Sequence, residues 1–169
     1  MIPLREFLDI TSIIKTIKDS SLNIARRSMP QIHNDKTDDF LEYLKKQNIN
    51  YKRISVNPEN FRASQNQFNN EKIIAMFESG FFKKLADKPI LVSKDNYIID
   101  GHHRWVALYL NNVTNKVNRK MNTITINMNA KPLIDVMKNY DAVDFKKVKE
   151  GLNHDKQTKQ LIINSIHES

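Results

Sequence analysis

Between the apolar run Tyr97-Ile98-Ile99 and the helix-forming run Trp105-Val106-Ala107-Leu108-Tyr109-Leu110, the chain places Asp100-Gly101-His102-His103-Arg104, with no apolar side chain among them. A strand that stops at a glycine and restarts as a helix leaves free N–H groups and the positive end of a helix dipole just after that glycine, here at His102 to Trp105. Such a turn receives anions. Gly101 lets the backbone approach a ligand closely. Arg104 offers a planar, two-pronged donor for phosphate. His102 and His103 offer hydrogen bonds or proton transfer, and Asp100 offers a carboxylate that holds magnesium or orients a histidine. The candidate catalytic residues are therefore His102, His103 and Asp100. The candidate phosphate ligands are Gly101, His102, His103 and Arg104, and Asp100 is the candidate metal ligand.

Each residue also has a purely structural reading. Aspartate just before a helix commonly caps it, so cap and metal ligand both stay open for Asp100. One of the two histidines fills a half-buried slot, because only one face of the turn can look into a cleft. Trp105 reads as core rather than as a platform for a base. Arg104 pairs with a surface carboxylate in the bland reading, yet a cation in the first helical turn is unfavourable unless an anion is bound.

The rest of the chain alternates helix and strand signals. Leu4 to Lys18 spaces its apolar residues as an amphipathic helix. A second helix is predicted from Thr37 as cap, with Asp38 and Asp39 in its first turn and Lys45 and Lys46 in its last, which complements the dipole. The connector Arg26 to Ile32 holds Pro30, which favours an extended Met29. Tyr51 to Val56 alternates as a strand and ends at Asn57-Pro58. Asn69 or Asn70 caps a helix through Phe77 that Gly80 ends. Ile90-Leu91-Val92 and Tyr97-Ile98-Ile99 form a hairpin about the turn Lys94-Asp95-Asn96. A polar loop, Asn111 to Asn122, precedes a strand at Thr123–Met128 and a helix at Ala130–Tyr140. A last helical stretch is expected at Gln160–Ile166.

Composition narrows the function classes. The formal charge is +8, with lysines and arginines along the whole chain, so nucleic acid or a polyanionic ligand is one expected partner. Lysine-rich solvated faces would give the same excess. There is no cysteine, which excludes disulfides, thiolate nucleophiles and cysteine-type zinc sites. No run reaches the roughly 18 apolar residues of a membrane span, so no membrane partner and a cytoplasmic location are expected.

From Tyr51 to Tyr140 the chain resembles the ParB/sulfiredoxin-like fold. The likeness rests on Ile54-Ser55-Val56-Asn57-Pro58, on Ser64-Gln65-Asn66-Gln67 before a helix, on Pro89-Ile90-Leu91-Val92, and above all on Tyr97-Ile98-Ile99-Asp100-Gly101-His102-His103-Arg104-Trp105-Val106-Ala107. It implies an α+β fold with a small mixed sheet and surrounding helices, divided into an N-terminal helical extension (1–50), a core (51–141) and a charged helical tail (142–169). Sulfiredoxins carry a cysteine where His102 stands, so their redox chemistry is excluded. In free-serine kinases of this fold a very similar loop binds nucleotide phosphates, which implies that Asp100, His102, His103 and Arg104 contact ATP or ADP with its magnesium. Those kinases place a glutamate shortly after the first strand, where this chain has Gln65, Asn66 and Gln67. The arginine-rich loop and the helix-turn-helix domain of partition proteins are both missing. The layout with Arg27, Met29-Pro30 and Gln31 ahead of the core is similar to small ParB-like proteins of tailed bacteriophages, which would place it in the host cytoplasm. In that setting Gln65, Arg27 and Gln31 complete the cleft, or Arg27 and Gln31 lock the N-terminal helices onto the sheet. The resemblance thus implies a nucleotide-dependent phosphotransferase or NTP hydrolase. A DNA- or RNA-binding protein or metal-dependent nuclease is the first alternative, and an inactive phage interaction module the second.

Overall fold

The computed structural model describes residues 2–140 and 143–145; the helical stretch expected at 160–166 lies outside them. Its centre is a five-stranded mixed sheet built from β2 (Tyr51–Val56), β3 (Arg62–Ala63), β4 (Ile90–Ser93), β5 (Tyr97–Asp100) and β6 (Met121–Ile126), in the order β2-β6-β4-β5-β3. β2 and β6 are antiparallel, β6 and β4 parallel, β4 and β5 antiparallel, and β5 and β3 parallel. A separate antiparallel pair joins β1 (Pro30–Ile32) to β7 (Val143–Phe145). Among the described residues six α-helices surround the sheet: α1 (Leu4–Asp19), α2 (Thr37–Lys46), α3 (Asn70–Ser79), α4 (Phe82–Asp87), α5 (His102–Asn115) and α6 (Ala130–Lys138). The fold is α+β, as expected. No described helix is long and apolar enough to cross a membrane.

The period-two alternation of the central strands gives the sheet two apolar faces. Ile90, Val92, Ile98 and Met121 face one way, against Ile10, Ile14 and Ile17 of α1, Ile73 and Phe77 of α3, and Trp105, Leu108 and Leu110 of α5. Leu91, Ile99, Ile124 and Ile126 face the other way, against Phe40, Leu41 and Leu44 of α2 and Leu133, Ile134 and Met137 of α6. Both helices of the first fifty residues therefore share the cores of the segment that follows. Trp105 is core, 1% exposed, and its indole N–H donates to the Pro58 carbonyl at 2.7 Å.

Local signals held where a single residue type decides the geometry. Asn69 caps α3, accepting the Lys72 N–H at 3.1 Å, and Gly80 ends it at φ +71°. Met29 is extended at φ −88°, ψ 129°, as the following proline demands. Elsewhere the structure departs from these signals. Thr37 does not cap α2: a 3-10 turn at Asn34–Lys36 leads in, and the cap position is Lys36, with no side-chain bond. The predicted connector contains β1. The predicted polar loop at 111–122 is helix as far as Asn115, where Asn112 gives its amide N–H to the Arg119 carbonyl at 3.0 Å and takes the Arg119 N–H at 3.3 Å. These bonds outweigh the low helix propensity of asparagine. The strand expected at 123–128 begins at Met121, where it pairs with Val56.

The β5 to α5 turn is set by Gly101, the α5 cap residue, at φ +95°. A Cβ there would stand 2.5 Å from Ile90 Cγ2 and 3.0 Å from Arg104 Nη2. The space beside the glycine Cα is thus occupied by the side chains of Ile90 and Arg104. Gly101→Ala combines a left-handed backbone with an overpacked core contact, and a loss of about 2–4 kcal/mol is expected in urea unfolding. A loss within about 0.5 kcal/mol would show that the turn does not need glycine.

Candidate functional site

Three segments meet at the start of α5. The connector after α1 runs beside residues 63–67: Leu22 and Ile24 give their N–H groups to the Ala63 and Ser64 carbonyls, and Asn66 N–H returns to Ile24 at 2.9 Å. Residues 64–69 in turn lie over the first turn of α5. Between Ile98 and Asp100 the β4–β5 register slips, with Leu91 opposite Asp100 and Val92 opposite Ile98. Such an irregularity re-aims the strand end, and here it comes just before the turn.

His102 and His103 hold the middle segment. Ser64 N–H donates to His102 Nε2 at 3.2 Å, and Asn69 N–H donates to His103 Nε2 at 3.1 Å. Both rings accept through Nε2, so both are neutral with the proton on Nδ1. They are 4% and 3% exposed. The Phe68 ring packs on both, with centroids 5.9 Å from His102 and 6.2 Å from His103, and Lys18 Nζ lies 5.9 Å from that ring. Ser64 Oγ is also 3.2 Å from His102 Nε2, the spacing of a serine–histidine pair. Its hydroxyl proton, however, goes to the Ile98 carbonyl at 2.6 Å and Ser64 is fully buried, so the pair is structural.

Arg104 folds back over Gly101. Its Nη1 donates to the Lys88 carbonyl at 2.5 Å and its Nη2 to the Pro89 carbonyl at 3.3 Å. Both acceptors are neutral. Nε has no hydrogen-bond partner. Burial pulls the guanidinium below the usual arginine range, and the Asp100 carboxylate partly opposes that shift. This is a desolvated cation in the first turn of a helix, where the dipole also repels it. Asp100 closes β5 half-buried, and the cap position belongs to Gly101, which has no side chain.

Gln65 is 2% exposed; it lies between the residues held by the histidines, and its amide N–H donates to the Gln67 carbonyl at 2.8 Å. Gln67 Oε1 accepts the Arg26 N–H at 3.0 Å, tying the connector to the same segment. Gln31 lies in β1, and its amide donates to the neighbouring Pro30 carbonyl at 3.4 Å. Asn66 Oδ1 and Arg104 Nε are the buried side-chain polar atoms left without a partner among the described residues. One lies on the held segment, the other on the turn beneath it. Phe68 and the Lys88 and Pro89 carbonyls carry no sequence signal of a site, since only the folded chain brings them to the turn. No cluster of three or more histidine, cysteine or acidic residues able to cage a metal occurs among the described residues.

Comparison with family models, curated proteins and solved structures finds no match to this chain.

Removing either imidazole leaves a backbone N–H without its acceptor, buried at Ser64 and half-buried at Asn69. His102→Ala and His103→Ala are each expected to cost about 1–3 kcal/mol. Because both hold one segment, the double variant should lose less than the sum, a coupling that a double-mutant cycle in urea measures. Strict additivity would mean that the two bonds act independently.

Proposed function

We propose that this protein binds the phosphates of a nucleotide, ATP or ADP with Mg²⁺, at the first turn of α5, as a ParB/sulfiredoxin-like protein of the phosphotransferase or NTP hydrolase class. The observation that carries the reading is Arg104: a buried cation at the positive end of a helix, bonded only to neutral carbonyls, with Nε unpartnered. An anion at this turn would neutralise that charge and meet the positive end of the helix dipole. Asn66 Oδ1 lacks a donor, and a ribose hydroxyl or an exocyclic amine of the base would supply one.

Magnesium fits this donor set. Mg²⁺ that arrives with a nucleotide needs one or two carboxylates besides phosphate and water, and Asp100 is the carboxylate at the turn. When bound, the ion supplies neutralisation of phosphate charge. The chain's own share is positioning. His102 and His103 already spend Nε2 on backbone N–H groups, so neither acts as a base through that atom in this arrangement, and Gln65, Asn66 and Gln67 bring no ionisable group. Binding is thus better supported than transfer. The +8 charge favours nucleic acid as the second reading.

Calorimetry with ATP, ADP and inorganic phosphate, each with and without Mg²⁺, should give saturable heat for the nucleotides, and ligand at 100 times Kd should add about 2.7 kcal/mol of stability. Arg104→Gln removes the charge that the anion would neutralise and should weaken binding at least tenfold, with folding checked by circular dichroism. Absence of heat with every nucleotide removes the proposal. The second reading falls if gel shifts with DNA and RNA stay flat across salt.

A further inference from the structure

On the face of the sheet that α1, α3 and α5 cover, the cover stops short of the β2 edge and leaves an open groove of about 790 Å³ along β2 and β6. Its floor is Ile54, Val56 and Thr125, and Ile54 is 40% exposed. Asn50, Asn60, Asn96 and Asn127 line its rim. Lys52 and Lys94 complete it, and no carboxylate lines it. Neither lysine has an ion-pair partner among the described residues. The nearest acid in the turn, Asp95, is turned away: it accepts the Ala130 N–H at 2.9 Å and the Ser93 hydroxyl at 2.5 Å.

We propose that this groove docks an extended acidic peptide with apolar residues at alternate positions. An asparagine amide offers both a donor and an acceptor, the same pair that an extended backbone presents at each residue. Four of them around a trough match a peptide main chain. A strand the length of β2 spans roughly 20 Å, so five or six extended residues fit, with alternate side chains on Ile54 and Val56. The unpaired lysines select carboxylates on the remaining positions. A single-stranded nucleic acid would need open aromatic rings on which to stack its bases. Of the two rings here, Phe61 is 6% exposed and Lys45 lies over Tyr51 at 5.6 Å. The groove lies by the Lys94–Asn96 turn, at the opposite end of β5 from Asp100, so the inference does not rest on the anion site.

The test is a titration of the ¹⁵N-labelled full chain with the hexapeptide Ac-Glu-Leu-Glu-Leu-Glu-Leu-amide, and in parallel with hexathymidylate. The peptide should shift the side-chain amides of Asn50, Asn60, Asn96 and Asn127 saturably. Lys52→Glu with Lys94→Glu should weaken it at least tenfold. Lys131→Glu with Lys138→Glu, an equal charge change at exposed positions of α6, should leave affinity within twofold. The proposal is overturned if the peptide causes no saturable shift, if both double variants weaken it equally, or if hexathymidylate moves these amides and the peptide does not.

Discussion

The N–H groups of Ser64 and Asn69 are taken by the two imidazoles that open α5. A buried donor without an acceptor costs more than an ordinary hydrogen bond contributes, so these two bonds fix where residues 64–69 lie. The placement of that segment in turn positions β3 beside β5, the connector from α1 beside β3, and the cap of α3. The histidine pair, which from sequence looks like chemistry, is first of all the joint on which three parts of the chain meet.

That joint explains what was legible beforehand and what was not. The strand, glycine and helix around Asp100–Arg104 were readable because their signals are local: an apolar run, a residue that tolerates positive φ, and a helical apolar period. Asn69, Gly80 and Pro30 acted where they stand for the same reason. The partners of the site residues were hidden, since Ser64 meets His102 from 38 positions away and Pro58 receives the Trp105 indole from 47. The two-residue β3 has no period to detect, and α5 runs on to Asn115 past polar residues that mark a loop. At Gly101 the sequence shows that a residue without a side chain is needed, but not that Ile90 and Arg104 are the neighbours that need it.

Arg104 shows the limit of judging a residue by its type. A guanidinium in a phosphate loop suggests a free fork, whereas here both Nη atoms face backbone carbonyls and only Nε lacks a partner. Its value to an anion is therefore mainly electrostatic: a positive charge held in low dielectric, where each unit of charge acts over a longer range than it would in water.

The strand pairings also set the order in which loops are cheap to close. Leu91 and Asp100 pair across 9 positions, whereas Tyr51 and Ile126 pair across 75. By chain statistics the longer closure costs about 2 kcal/mol more. The β4–β5 hairpin, its glycine turn and α5 thus form a self-contained hub of low contact order, and β2 joins through the most distant pairing in the sheet. The late-joining element is an outer strand whose backbone edge awaits closure, so the kinetically exposed part of the molecule lies away from the histidine joint.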